Sequence, residues 1–459
     1  MTLMQLVWTL VKILIMVGFL LNLAGVLTWA DRRQSAMIQH RIGPNRASVT
    51  LFGREFRILG LLHTAADGIK FFTKEDFMPV RADRLLFALA PILSMGAVFT
   101  LLAVVPFGDT ICPHQFALHF PNVFVGPAVQ RNGLCAIDLK SGYYPIDLTV
   151  APLSVGVLYV FAMAGQGIIG AAIAGWSSDN KFSLMGALRA ASQMVSYEVT
   201  LGLSLIGAMM IYGTVRLDDM VRWQSENAWG IFVQPLAFFL FFAASVAENK
   251  RIPFDLPEAE SELVSGYFTE YAGMKFGMFY FAEYAEIVTG SMLLVTIFLG
   301  GWALPFFHRD GITIAFGRLQ VVRALVPHVW MIVLGVLAFF AKVVVVCWIQ
   351  CFVRWSLPRF RYDQLMKLGW RVLLPASLAN ILVTGVVWLA LDNAGPAVSD
   401  ALSILADVTQ AFVALAMTYF VARAVIGLLT PVRHERTLLG SSADAAAKSG
   451  GTKTEPMQA

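Results

Sequence analysis

The sequence predicts an all-α integral membrane protein: a multispanning helix bundle of eight core transmembrane helices and a ninth, with an amphipathic helix on the cytoplasmic side. Three observations predict it. Of the 459 residues, 58% are hydrophobic and only 14% are charged. The apolar residues gather in runs of about 20, and the basic residues collect between alternate runs. Soluble domains carry about 25% charged residues, so this composition excludes an ordinary soluble domain.

Each apolar run is long enough to cross about 30 Å of hydrocarbon as a helix. The first run lacks the short apolar core and the small-residue cleavage site of a signal peptide, so it is predicted to be a span. The predicted spans are Leu3–Trp29, Leu85–Phe107, Leu148–Ala174, Ala190–Tyr212, Ile231–Ala247, Phe276–Leu304, Ala324–Phe352, Val372–Leu391 and the ninth, Val408–Leu429.

The Lys and Arg residues of the connections are distributed unequally between the two sides of the membrane. About 24 lie on the side of the 31–84 connection and about 7 on the other. Because basic residues mark the cytoplasmic side, we expect the N-terminus outside and the C-terminal tail inside. From Ser441 the tail is mostly Ser, Ala, Gly, Lys and Thr, a composition typical of disorder.

The spans divide the chain into a transmembrane core, an extra span and a polar tail. Two cytoplasmic-side connections and one external connection are long enough to carry structure of their own. The parts are the core, 1–391, the extra span, 392–429, and the tail, 430–459; the long connections are 31–84 and 248–282 on the cytoplasmic side and 108–147 outside.

Two of the long connections carry local signals. Between Leu59 and Phe72 the apolar residues recur at helical spacing, while Asp67 and Lys70 fall elsewhere on the wheel. This pattern predicts an amphipathic helix lying in the membrane interface. The external connection contains two cysteines on the side where disulfides form, and spacing alone leaves open whether Cys112 and Cys135 pair.

The sequence contains no recognisable ligand set for a redox cofactor. Its seven histidines lie mostly in connections or at span ends, whereas a membrane cytochrome needs His pairs facing each other across spans. Cys347 and Cys351 are one helical turn apart without a third ligand, which favours small buried side chains over a metal site. Gly165-Gln166-Gly167 lies inside an apolar span and serves close helix packing rather than nucleotide binding. We expect no flavin, haem, iron–sulfur cluster, metal or nucleic acid on this chain.

Carboxylates crowd one end of the predicted spans. Burying an ion costs several kcal/mol, so handling of protons or cations explains these acids better than packing does. Glu198 is about a third of the way into its span, and Lys342 is about 16 Å deep, where a cation must face protein or water. For the shallower acids the alternative is an ordinary interfacial cap. The predicted proton path consists of Glu198, Glu248, Glu283, Glu286 and Lys342.

The connection after the fifth span alternates acids with apolar residues. If Glu258 begins a helix, Glu258 and Glu262 share a face and Glu260 points elsewhere. Acids this close titrate as coupled groups, and their charge responds to an anion formed nearby. The alternative is a solvated acidic loop that docks a basic partner. The acids of this loop are Asp255, Glu258, Glu260, Glu262 and Glu270.

Six separated motifs occur in one order along the chain. They are Gln39–Arg46, Ala66–Lys70 with Lys74–Asp76, Ala174–Ser178 with Gly186–Arg189, Ser196–Glu198, Pro253–Glu262 and Leu357–Asp363. In this order they resemble the H subunit (mitochondrial subunit 1) family of proton-pumping NADH:quinone oxidoreductase, respiratory complex I. The resemblance covers the chain from about residue 5 to about residue 391.

The resemblance implies a role for each group of residues. Such a subunit forms the membrane part of the ubiquinone or menaquinone chamber, and its acids link the chamber to the proton-conducting arm. Glu198, Glu248 and Glu283 would belong to the proton path, and the loop acids would respond to the quinone. The implied chamber entrance and docking surface consists of Arg32, Arg33, Arg41, Arg46, Asp67 and Lys70. Where the family commonly has Glu after the first span, this chain has Asp31.

The resemblance also implies partners and a location. The partners are quinone, membrane lipid, the quinone-side hydrophilic subunits, and adjacent small and antiporter-like membrane subunits, all in a bacterial inner membrane. We expect redox activity only from the assembled enzyme, not from the chain alone. Three alternatives remain open: the membrane subunit of an energy-converting hydrogenase, a stand-alone cation or proton transporter, which predicts inverted repeats and broken helices, and a passive anchor for redox subunits.

Overall fold

The computed structural model describes residues 3–51, 54–56, 58–111, 147–258, 260–308, 311–316, 319–324, 326–393 and 396–429. The predictions for Cys112, Cys135 and the tail 430–459 lie outside these residues. The chain divides into two compact units, Met1–Ala411 and Phe412–Ala459. All the candidate site residues belong to the first unit.

Helices dominate the described residues, and nine apolar helices among them correspond to the nine predicted spans. Eight are long and apolar enough to cross a membrane, and the fifth in chain order is shorter. The predicted fold class is therefore confirmed. The spans are α1, Leu3–Ile38; α3, Arg84–Leu101; α4, Gly156–Ser177; α5, Lys181–Tyr212; α8, Pro235–Glu248; α10, Gly273–Phe298; α11, His328–Ser356; α12 with α13, Tyr362–Lys367 and Leu374–Asp392; and α14, Pro396–Leu429.

The connections carry short elements. The predicted amphipathic helix is present as α2, Leu62–Thr73, and its apolar residues Ile69 and Phe72 are 65% and 74% exposed. The remaining elements are β1, Val49–Leu51; β2, Arg54–Phe56; α6, Leu217–Glu226; α7, Gly230–Val233; α9, Glu260–Leu263; β3, Phe307–His308; β4, Gly311–Phe316; and β5, Leu319–Ala324. The strands form two small antiparallel sheets between spans: β1 pairs with β2, and β4 pairs with β3 and β5.

Two spans are longer than their apolar runs. Helix α1 continues to Ile38, because helical hydrogen bonding does not stop where the charges begin. Helix α5 begins at Lys181, where the Asn180 Oδ1 caps it by accepting the Phe182 N–H at 2.9 Å. The α1 extension carries Asp31 and Arg32 beyond the apolar run, on the side of the acidic connection.

The fifth crossing is broken rather than continuous. Helix α8 has 14 residues, about 21 Å of helix, which is short of about 30 Å of hydrocarbon. Gln234 leaves helical geometry between α7 and α8, with φ −134° and ψ 61°. Its side-chain amide donates to Thr384 Oγ1 at 2.8 Å and accepts from Asn380 Nδ2 at 3.2 Å. The polar break is thus buried against α13, as an irregular segment at membrane depth must be.

Helix α10 lies at the centre of the bundle. Of its most apolar stretch, 83% is buried within the chain, more than in any other described span. It packs against α1, α3, α8 and α11. An ionisable residue on α10 is therefore surrounded by protein rather than lipid, which is where two of the predicted acids lie.

Helices α12 and α13 are joined by a π-helical segment, Leu368–Leu373. On the side facing α5, the Tyr197 hydroxyl donates to the Leu365 carbonyl at 2.9 Å, and Trp370 Nε1 donates to Ser196 Oγ at 3.1 Å. The extra residue of a π turn rotates the following helix relative to the preceding one. Helix α12 and the π-helical segment thus both contact α5, and α13 packs against α5 and α8.

The predicted orientation has a direct test by cysteine labelling. We start from a variant in which Cys112 and Cys135 are replaced by serine. In intact cells Ser48→Cys should react only with membrane-permeant maleimides, whereas Asn393→Cys should also react with impermeant ones, because the basic connections face the cytoplasm. Both side chains are exposed. The reverse labelling pattern would place the acidic connection outside the cell.

Candidate functional site

Glu283 of α10 is the centre of a buried group of charges. Its carboxylate is 2% exposed. The Arg251 Nη2 lies 2.8 Å from its Oε2, and the Tyr267 hydroxyl donates to its Oε1 at 3.1 Å. Arg251 also lies over the ring of Tyr284, 4.3 Å from its centroid. A buried carboxylate is tolerable only with such partners, so these contacts hold Glu283 in a defined position.

The two basic residues that follow α8 each meet one acid of α10. Arg251 pairs with Glu283, and the Lys250 Nζ lies 3.4 Å from Glu286 Oε2. Glu283 and Glu286 are three residues apart and therefore lie on one face of the helix. The sequence Lys250-Arg251 is thus a pair of counterions for an acidic helix face, and it ties the acidic connection to α10.

Asp255 and Glu258 join this group from the connection. Burial raises the pKa of Asp255 to about 6, while the Arg359 guanidinium, 2.6 Å from its Oδ2, opposes the rise. Burial, and then the neighbouring Glu283, raise the pKa of Glu258 well above its ordinary value. The negative charge of Glu283 lies close enough to oppose the ionisation of Glu258, while Arg251 favours it.

A small cavity with a largely apolar lining extends from the acids of α10 toward α4 and α5. Its volume is about 50 Å³, which is room for a few water molecules. Glu248 and Glu286 line it, with Asn249, Ser245 and Thr289 as further polar side chains. Acids around a cavity of this size can exchange protons when water occupies it.

Two glycines of α4 lie beside carboxylates. A Cβ at Gly165 would lie 3.7 Å from Glu198 Oε1, and one at Gly167 would lie 3.8 Å from Glu286 Oε1. The predicted reason for this Gly-Gln-Gly sequence was close helix packing. The structure instead places an acid from α5 over one glycine and an acid from α10 over the other. Glu198 therefore lies beside the cavity acids.

The predicted loop acids separate into two sets. Asp255 and Glu258 belong to the buried group, whereas Glu262 is exposed and pairs with Arg189 at 2.8 Å. Glu270 accepts a hydrogen bond from Asn180 Nδ2 at 2.6 Å. The short helix α9 begins at Glu260, not at Glu258, so the condition for a shared face of Glu258 and Glu262 is not met. The side chain of Glu260 lies outside the described residues.

The predicted chamber entrance is only partly one cluster. Arg32 of α1 lies 2.5 Å from Asp67 of α2, and Lys70 lies 3.5 Å from the same carboxylate. The Arg32–Asp67 pair joins α2 to the end of α1, while the Lys70–Asp67 pair lies within α2. The other three residues have local contacts: Arg33 lies over Trp29 at 5.6 Å, Arg41 donates to Gln39 at 2.6 Å, and the Arg46 backbone N–H donates to His63 at 3.1 Å.

Lys342 lies apart from the acids. Its ammonium donates to the carbonyls of Leu299 at 2.8 Å, Gly301 at 3.0 Å and Ala303 at 2.7 Å, and it lies 4.2 Å from the centre of the Trp229 ring. An ammonium has three N–H donors, so all three are used. Among the described residues, these contacts connect Lys342 to the chain that follows α10, at the end opposite Glu283.

A second buried group of charges, which the sequence did not predict, is centred on Asp31. Arg354 pairs with this carboxylate, Trp355 Nε1 donates to its Oδ1 at 2.5 Å, and the Tyr284 hydroxyl donates to its Oδ2 at 2.9 Å. Since the Tyr284 ring also contacts Arg251, the group adjoins the Glu283 group. The sequence did contain a signal for this group: Asp31 and Arg354 each lie just beyond the inner end of a predicted span. Charged residues in that position were interpreted only as the ends of the spans.

The described residues contain no group of three His, Cys, Asp or Glu side chains arranged for a metal ion. Cys347 and Cys351 are buried free thiols in α11. The site therefore consists of acids, bases and tyrosines. Such a set can hold and move protons.

Known proteins similar to this chain are named as subunits of one enzyme. A family model described as NADH dehydrogenase matches residues 11–385. The NADH-quinone oxidoreductase H subunit 1 of Cytophaga hutchinsonii is 40% identical over 358 residues, which cover 78% of this chain and 90% of that protein. The H subunit of the same enzyme from Thermomicrobium roseum is 41% identical over 384 residues, 82% and 94% of the two chains. The H subunit 1 of Geobacter sulfurreducens is 39% identical over 376 residues, 82% and 93%.

The match covers the core and its acidic connection together. The eight long apolar helices and the bacterial relatives identify a multi-pass protein of the bacterial inner membrane. The predicted family is confirmed, and with it the assignment to an oxidoreductase that works as a multi-subunit complex. The chain belongs to the H-subunit family of NADH-quinone oxidoreductase.

Proposed function

We propose that this chain forms the membrane part of a quinone chamber and couples quinone reduction to proton translocation through its buried acids. The observation that carries the proposal is the continuity of the Glu283 group. It joins the acidic connection, through Asp255 and Glu258, to the cavity lined by Glu248 and Glu286. Quinone, either ubiquinone or menaquinone, is the proposed substrate, and electrons come from other subunits of the complex.

The coupling step is a redistribution of protons. Reduction of a quinone places negative charge at the chamber, and negative charge raises the proton affinity of nearby acids. The neighbouring Glu283 charge already opposes the ionisation of Glu258, so added negative charge at the chamber further favours protonation of Glu258. From Glu283 the change reaches Glu286 on the same helix face, and then Glu248 and Glu198 across the cavity.

The proposed entrance lies where α1 and α2 meet. The Arg32–Asp67 pair fixes α2 at this place, and its exposed apolar residues Ile69 and Phe72 suit an apolar quinone tail or a neighbouring subunit. Asp31 precedes Arg32 on α1 and adjoins the Glu283 group through Tyr284. We place Lys342 outside the proton path, because its three donors are held by carbonyls at the other end of α10.

The test is Glu198→Gln in the assembled enzyme. Glutamine keeps the size and hydrogen bonding of glutamate but carries neither charge nor exchangeable proton, so both quinone reduction and pH-gradient formation should fall together, by at least about tenfold. Glu198→Asp should retain part of both. The measurements are NADH:quinone turnover and the pH gradient in inverted membrane vesicles, with assembly checked on a native gel.

The matched control is Glu226→Gln, which removes an exposed acid from α6, far from the site in the chain. It should leave both activities unchanged. Normal pumping by assembled Glu198→Gln would show that this acid only fills space over Gly165, and the proposed path would be wrong.

A further inference from the structure

The connection between α11 and α12, residues 357–361, lies directly against the acidic connection. The Phe360 backbone N–H donates to the Pro253 carbonyl at 3.1 Å. Beside this bond, Arg359 Nη2 lies 2.6 Å from Asp255 Oδ2. A backbone bond and an ion pair therefore join the two connections over three residues of the acidic one. Neither Arg359 nor Phe360 belongs to the set of acids proposed above.

The residue between these two contacts is packed on both sides. The Phe254 ring lies between the rings of Tyr197 and Phe360, with centroid distances of 5.7 Å and 5.4 Å. Aromatic pairs at such distances contribute about 0.5–1.5 kcal/mol beyond the area they bury. Tyr197 precedes Glu198 on α5, so this stack sets the distance between the acidic connection and the helix that carries Glu198.

Helix α5 holds the same turn through one more side chain. Gln193 Nε2 donates to the carbonyls of Ala247 and Phe254, both at 2.8 Å. The chain around Phe254 is therefore fixed from α5 on one side and from residues 359–360 on the other. Arg359 is the main partner of the Asp255 carboxylate. The second carboxylate oxygen, Oδ1, is buried and accepts no hydrogen bond among the described residues.

We infer that Arg359 is a positioning residue for the quinone-coupled acids: with Phe360 it clamps the first turn of the acidic connection against α5 and holds Asp255 ionised and in place. The inference rests on the proposed function, because it assigns Arg359 to the same acids. Arg359 is suited to this role, since a guanidinium stays charged at every physiological pH and binds carboxylates in a fixed geometry.

The charges around Asp255 give the clamp a measurable signature. Burial raises its pKa to about 6; Arg359 and Arg251 lower it, and Glu283 raises it. Glu258 also faces it. Removing Arg359 deletes the main opposing charge, so the pKa of Asp255 must rise above about 6. The carboxyl group would then be protonated at higher pH, and turnover that needs the ionised form would be lost nearer to neutral pH.

The experiment compares pH profiles of NADH:quinone turnover in assembled complexes. Arg359→Gln should move the acid limb of the profile upward by at least about half a pH unit, and Arg359→Lys should restore most of it because the charge returns. The control is Lys367→Gln, which removes an exposed basic side chain from the nearby helix α12 and should not move the limb. A uniform loss at every pH, together with an unshifted titration of Asp255, would mean that Arg359 is only structural and would overturn the inference.

A second readout does not depend on pumping. The carboxylic-acid band that Asp255→Asn removes from the infrared spectrum should titrate at higher pH in Arg359→Gln than in the parent complex. An unchanged titration would overturn the inference even if turnover fell. A shifted band with an unshifted turnover profile would keep the clamp and refute instead the proposed role of Asp255 in coupling.

Discussion

Glu283→Gln should abolish most quinone-linked turnover in complexes that still assemble. The variant removes the charge that pairs with Arg251 and that acts on the neighbouring Glu258. The proton can then no longer pass from the acidic connection to α10, and we expect turnover to fall by at least about a hundredfold, equivalent to roughly 2.7 kcal/mol in the barrier. NADH:quinone turnover per assembled complex is the measurement.

The same variant has a structural cost that must be separated from the catalytic one. Removing one partner of a buried ion pair typically destabilises by about 3–5 kcal/mol, because the other charge stays buried. Glu283→Asp keeps the charge and should therefore retain part of the activity. Electron transfer to a hydrophilic acceptor, which bypasses the membrane, should stay normal in both variants. Near-normal quinone turnover in assembled Glu283→Gln would show that this acid is structural.

Lys342→Met should greatly lower the amount of assembled complex while leaving turnover per complex unchanged. The variant leaves the carbonyls of Leu299, Gly301 and Ala303 without their donor. A buried polar group without a partner costs about 1–3 kcal/mol, and three of them together are comparable to the whole stability of many folds. The measurements are complex abundance on native gels and the temperature of thermal inactivation.

Lys342→Arg provides the comparison, because it keeps the positive charge and several donors. It should recover part of the abundance that methionine loses. If assembled Lys342→Met lost pumping but not stability, the lysine would belong to the proton path after all. The two variants thus distinguish between two roles of Lys342. One is a role in the proton path, predicted from its depth in the span, and the other is a role in stability, which its three carbonyl contacts support.

The spans were predictable because their signal is local. A run of about 20 apolar residues is sufficient to identify a helix that must cross the bilayer, and each of the nine runs corresponds to an apolar helix among the described residues. The helix ends were less predictable, since α1 and α5 continue into charged sequence where hydropathy changes but helical hydrogen bonding does not. The break at Gln234 was missed because the run around it is apolar on both sides.

The candidate site was predictable as a set of acids, but not as a set of contacts. Unpaired charge in an apolar chain marks Glu198, Glu248, Glu283 and Glu286 from composition alone. Which base meets which acid depends on tertiary packing, so the pairing of Arg251 with Glu283 does not follow from spacing, and neither does the second buried group. The burial of Lys342 was predictable from its depth in the span. Its partners were not, because they are three backbone carbonyls, which no sequence pattern identifies.

The broken fifth crossing has a consequence for how this protein is made. Gln234 and its partner Thr384 are 150 residues apart, so the ribosome releases the fifth segment long before the last segment that satisfies its amide exists. A polar group without a partner does not settle in hydrocarbon. Gln234 therefore gains its side-chain partners only once α13 has been made. The fifth crossing is to that extent completed by the eighth.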